Sequence, residues 1–250
     1  MIRNIVKGIA DYSKALDLIN KLKLWRYVFV VGLISVVLGV GLIYFGYSIL
    51  DGFIPKLQSL YPFEWGKDHI DSIIKYLGIF ILILFGMLFY KYMVFILFVP
   101  FLGPLSEKIE EHLTGHKAGY SFLNFGRLLK DIFRGIIISI RLIFKEMFWM
   151  ILLFFLGIIP IFSPFVPVIA FFIQSFYAGY GNFDWALERF YSVRGRISFV
   201  QQNKSLTLGN GIPFMILLSI PILGFFLAPV LSVGAATISV IEKLQEERLL

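Results

Sequence analysis

Few residues in this 250-residue chain are of a type that does covalent chemistry. There is no cysteine, which removes disulfides, thiolate nucleophiles and Cys-based metal sites together. The three histidines are His69, His112 and His116. The last two stand four apart, which on a helix would put both on one face beside Glu111. Thr114 and Gly115 intervene, however, and Gly115 reads as the end of that helix. Interfacial loop histidines are the plainer reading, and no metal site is predicted. HExxH, GxSxG, Walker and GxGxxG patterns are absent. The chain reads as no enzyme, and nothing in it asks for a cofactor.

The residues left to do chemistry are charged groups set against apolar runs. Lys21-Leu22-Lys23-Leu24-Trp25-Arg26 precedes the first long apolar segment. Basic residues and a Trp at a membrane edge anchor a helix. They could equally hold an oxyanion, because a guanidinium fork and the first amides of a helix both suit sulfate or phosphate. Lys91 lies well inside a second apolar run, where it must snorkel, pair or face an aqueous path. Glu107, Lys108 and Glu110 follow Pro104, which is predicted to stop one helix and open the next at the membrane face. Asp184, Glu188, Arg189, Arg194 and Arg196 follow a third apolar stretch. On one helix, Asp184 and Glu188 would be a turn apart and Arg189 and Arg196 two turns apart. Such charges are costly unless paired or lining water; pairing between helices and a gated route are the two readings.

Composition says what must position these groups. Hydrophobic residues make up 58% of the chain and charged residues 16%, against about 45–50% apolar in an ordinary soluble domain. One all-α membrane domain over 1–250 follows. The net charge of +7 suggests no nucleic-acid partner, because the basic residues flank apolar runs as they do beside anionic headgroups. Residues 1–26 lack the shape of a signal peptide. They place Ile2, Ile5, Ile9, Tyr12, Leu16, Ile19 and Leu22 near a 3.6 period, as an amphipathic helix on the membrane surface would. Segment 27–50 is long enough to cross about 30 Å of hydrocarbon, and so is 73–105. The loop 51–72 holds two Lys against four acids, whereas basic residues crowd 1–26, 106–146, 182–204 and 242–250. The positive-inside rule puts those four segments, and both termini, in the cytoplasm.

Residues 147–180 and 206–241 must then leave the cytoplasm and return. Each offers about 34–36 residues, fewer than the roughly 42 that two full crossings and a turn require. Pro160, Pro164 and Pro167 interrupt the first, and Pro221 and Pro229 the second. Two partly penetrating helical hairpins fit best, with long tilted helices as the alternative. A further amphipathic helix is predicted over 121–146, with Ser121 as N-cap. Ala228, Ser232, Ala235 or Ala236, and Ser239 form a small-residue stripe suited to close helix packing.

Four blocks, in order, resemble the family of the bacterial sulfate permease CysZ and the eukaryotic etoposide-induced membrane proteins. They are Leu24-Trp25-Arg26; Pro100-Phe101-x2-Pro104-Leu105-x-Glu107-Lys108-Ile109-Glu110; Tyr177-x-Gly179-Tyr180-x3-Asp184-x2-Leu187-Glu188-Arg189; and Leu206-x-Leu208-Gly209-x-Gly211-x-Pro213, followed by Pro229 and Gly234-Ala235-Ala236-Thr237. The resemblance implies two long spans with two partly penetrating hairpins. It also implies a homo-oligomer in the bacterial inner membrane that passes sulfate into the cell for cysteine synthesis. The family's Gly-Leu-Arg anion motif carries over as Trp25 for the Leu and Arg26 for the Arg, with Leu24 in place of the Gly. On this reading Lys23, Trp25 and Arg26 bind the anion. Lys91, Glu107, Glu110, Glu188, Arg189 and Arg196 line or gate the path. A rival reading is a non-transporting membrane-organising protein, which the amphipathic segments, the half-inserted hairpins and 28 Phe also fit.

Overall fold

The computed structural model describes residues 2–58, 67–115, 125–220 and 222–247; among these the regular structure is helical, with no strand. The chain opens with α1 (Ile2–Lys21) and, after a tight corner, α2 (Trp25–Gln58). Next come α3 (Lys67–Leu97) and α4 (Val99–Thr114). The helix α5 (Phe125–Gly157) leads through a 3-10 turn (Ser163–Phe165) to α6 (Val166–Leu187). Finally α7 (Val193–Gln202), α8 (Lys204–Leu218) and α9 (Leu223–Glu246) complete the described chain.

Three of these helices are long and apolar enough to cross a bilayer: α2, α3 and, beyond the two long runs read from the sequence, α9. The boundaries have local causes. The apolar run 73–105 is two helices, broken at Phe98, with Pro100 in the first turn of α4 where its missing N–H costs nothing. Pro104 lies inside α4 and is not the break. α4 ends on Gly115, whose φ of 72° is the left-handed C-cap that glycine takes without strain. The 121–146 helix begins at Phe125 and runs on to Gly157, so it is continuous with the first limb of the hairpin at 147–180. Ser121, its predicted N-cap, and His116 lie outside the described residues, as does Pro221. Pro160 falls in the turn between α5 and α6, Pro164 in the 3-10 turn, and Pro167 in the first turn of α6.

At the centre stands α9, touched by α1, α2, α4, α6 and α8. Every residue from Ala228 to Ile241 is buried. The small-residue stripe Ala228, Ser232, Ala235, Ala236 and Ser239 lies within this run and lets the neighbouring backbones close in. α1 runs antiparallel to α9: Ala15 meets Gly234, Asp11 accepts from Ser239 Oγ at 2.6 Å, and Lys14 reaches Glu242 at 2.7 Å. One face of α1, with Asp11, Tyr12, Ala15 and Ile19, thus packs on protein rather than on lipid. Ile2, Val6, Ile9 and Leu16 remain exposed along the other face.

The helices α6 and α8 cross backbone to backbone. A Cβ on Gly179 would overlap the carbonyl of Thr207, and one on Gly211 would overlap that of Ser175. Beside this crossing a buried polar network joins four helices. Asn182 donates to Asn210 Oδ1 at 2.9 Å, and Asn210 donates to Ser232 O at 3.0 Å. Ser232 Oγ returns to Asn182 Oδ1, and the Tyr12 hydroxyl donates to Asn210 O.

Candidate anion site

The corner between α1 and α2 is built by Lys23, whose φ of 53° is unusual for a residue with a Cβ. It turns Leu24 inward, where the side chain is 1% exposed among Ile19, Tyr27 and Val28. A bulky residue at this position therefore does not crowd the outer surface. Trp25 is half out of the protein, its indole N–H donating to Asn20 Oδ1 at 2.7 Å. The amides of Trp25 and Arg26 begin the 34-residue α2, the positions with no carbonyl one turn back in the helix. No acidic residue stands in that first turn.

Tyr27 is buried, and two cations lie against its ring. The Arg26 guanidinium sits 5.1 Å from the ring centroid and the Lys108 ammonium, from α4, 5.8 Å. Arg26 also lies 3.5 Å from the Tyr27 hydroxyl oxygen. Among the described residues no carboxylate pairs with Arg26, Lys108, Lys21 or Lys23. Two like charges near one aromatic ring repel each other, and the ring recovers part of that cost. An oxyanion of charge −2 between them would recover far more. Lys108 joins this site from a distant part of the sequence, and its tether to Tyr27 had no sequence signal.

Other charged residues singled out from the sequence form pairs in three further places. Arg189 binds Glu110 of α4, donates to Trp185 O at 2.6 Å and to Ser106 Oγ at 2.8 Å, and Ser106 in turn meets Thr237 of α9 at 2.7 Å. Arg196 donates to both Asp184 oxygens at 2.7 Å. Residues 184–196 do not lie on one helix. α6 ends at Leu187, the chain turns, and Ser192 caps α7, so Arg196 folds back onto Asp184. Glu188 is half-buried at this turn, and Glu107 is buried on α4. Lys91, fully buried, pairs with Glu146 of α5 and also donates to Gln174 O at 3.2 Å. The Tyr92 hydroxyl donates to the other Glu146 oxygen at 2.7 Å. Glu146 was not singled out from the sequence, although an acid in the apolar half of α5 is the partner that a buried Lys91 demands.

A match to known proteins decides the family. The description "sulfate transporter CysZ/etoposide-induced protein 2.4" fits residues 12–229 of the chain. The chain belongs to this family. Its relatives include a sulfate transporter CysZ from Vibrio cholerae serotype O1 (an El Tor strain), 28% identical over 97% of this chain and 96% of that protein. Another, from a Classical Ogawa strain, is 28% identical over 94% and 93% of the two chains. These CysZ relatives are named as transporters, in line with the reading of the chain as no enzyme. With bacterial relatives and three helices apolar enough to cross a bilayer, this CysZ-family chain is a bacterial membrane protein.

Proposed function

We propose that the chain conducts sulfate, or an oxyanion of the same charge and shape, across the bacterial inner membrane, and that the anion is collected between Arg26 and Lys108. The observation that carries this is the pair of cations on Tyr27 with no carboxylate paired to either among the described residues, at the start of a long membrane helix. Exposed Lys23 adds to the field, and Trp25 walls the site. The names of the CysZ relatives make sulfate the first solute to try; on this reading its uptake would supply cysteine synthesis. The pairs Glu110–Arg189 and Asp184–Arg196 neutralise themselves, so on this reading they hold the hairpins in place beside the route rather than contact the anion.

A half-inserted α8–α9 hairpin would make the route shorter than the bilayer is thick. The turn between α8 and α9 brings Leu218, Ser219 and Phe225 beside Gly39 and Leu42 of α2 and Gly86 and Met87 of α3. These positions lie near the middle of both long helices, and the 15-residue α8 spans only about 22 Å. With both termini in the cytoplasm, the site at Arg26 faces that side. A homo-oligomer would supply the remaining walls.

Sulfate flux into liposomes holding the purified protein tests the proposal. Flux above that of empty vesicles should fall at least about tenfold in Arg26→Ala and in Lys108→Ala, since each removes a charge-assisted contact. No flux from folded, inserted protein sinks it. If liposome deformation independent of Arg26 were seen as well, the membrane-organising reading would take its place.

A further inference from the structure

Away from Tyr27, a second basic feature lies where α1 and α8 begin and α9 ends. A cavity of about 500 Å³ is walled there by Arg3, Asn4 and Lys7 of α1, by Asn203 at the head of α8, and by Lys243 and Glu246 of α9. Three cations thus face one carboxylate. Lys7 and Lys243 both bond Glu246, at 3.2 and 2.8 Å. Lys7 also pairs with Glu242 at 3.2 Å, an acid that Lys14 holds from the other side. Burial would lower the Lys7 ammonium, but its bonds to Glu242 and Glu246 outweigh that and raise it, so Lys7 stays charged. Arg3 has no carboxylate partner among the described residues. The Asn203 side chain donates to Phe199 O, leaving α8 without a side-chain cap at the cavity wall.

We propose that this cavity binds a phosphate-class anion, either a lipid phosphate headgroup or a free phosphate, at a site separate from Arg26 and Lys108. The guanidinium fork of Arg3, two ammonium groups and an uncapped helix start are the groups that recognise such an anion. A shared Glu246 holds Lys7 and Lys243 in position until the anion arrives. Depth favours the lipid source. From an apex at mid-bilayer, α8 descends about 22 Å, past the roughly 15 Å half-thickness of the hydrocarbon and into the headgroup layer. Ile2 and Val6, exposed on α1 beside Arg3, offer an apolar flank to acyl chains. The depth argument rests on the half-inserted hairpin, whereas the cavity and its charges do not.

The test uses the full chain in neutral detergent. Native mass spectrometry with equal phosphatidylglycerol and phosphatidylcholine measures headgroup preference, and calorimetry with inorganic phosphate measures the free anion. Phosphatidylglycerol should be retained over phosphatidylcholine. Arg3→Gln and Lys243→Gln should each weaken that preference roughly fivefold, and Glu246→Gln should strengthen it. Binding of inorganic phosphate with the same residue dependence, but no lipid preference, would support the site with a soluble ligand. Arg26→Ala should leave either binding intact, so a failed sulfate assay does not touch this result. Variants are compared only where their melting temperature matches the parent. Failure of both probes to bind, or binding indifferent to all three substitutions, overturns the proposal.

Discussion

Helices α3 and α9 are both apolar enough to cross a bilayer, yet they meet opposite surroundings. Only 6% of the most apolar stretch of α3 is buried inside the protein, against 83% of that of α9, so the first is a lipid-facing wall and the second a core. The difference is in side-chain size and polarity. α3 carries Ile, Leu and Phe on all sides, and one buried cation, Lys91, fixes it to α5. α9 carries Gly, Ala, Ser and Thr, which admit five neighbouring helices and supply hydroxyls for them to bond. Hydropathy reports how apolar a helix is; residue volume reports what it faces.

Substitutions can break this contrast, beginning where the effect should be largest. Lys91→Met leaves Glu146 buried without its cation and should cost about 3–5 kcal/mol in thermal unfolding of the detergent-solubilised protein. The double variant Lys91→Met with Glu146→Leu should recover most of that. A double variant as unstable as the single would mean that α3 is held by packing instead. On α9, Ala235→Leu forces a large side chain into a fully buried position and should cost about 1–3 kcal/mol. Asn210→Ala strips the network that ties α9 to α6 and α1, at a cost of about 1–3 kcal/mol, unless the membrane setting reduces each bond to roughly 0.6 kcal/mol. Ile83→Ala, on the lipid face of α3, should change stability by no more than about 0.5 kcal/mol. A larger loss there would mean that α3 has a protein neighbour in the membrane.

How far the sequence could be read follows from the same contrast. The long apolar runs revealed α2 and α3, because lipid contact demands nothing but apolar surface over a fixed length. Prolines marked the turn after Gly157, since each lacks a backbone donor. The break at Phe98 was placed too late because Pro100 and Pro104 are both tolerable near a helix start, and the sequence alone does not rank them. Helical spacing over 184–196 offered pairing as one reading but not the reversal that joins Arg196 to Asp184. Lys91 announced a buried partner without naming it, because Glu146 lies 55 residues away and pairing across that distance leaves no periodic trace. Lys108 was placed at the membrane face, but its approach to Tyr27 depends on how α4 lies against α2, which no local pattern encodes.

The reciprocal contacts of Gly179 with the Thr207 carbonyl and of Gly211 with the Ser175 carbonyl have a mechanical consequence. They weld the return limb of one hairpin to the outgoing limb of the other, with no side chain between them to act as a bearing. Any opening that admits a solute must therefore occur elsewhere. The α2–α3 pair stands outside this weld, and Tyr27, with Arg26 and Lys108 against its ring, lies in the first turn of α2.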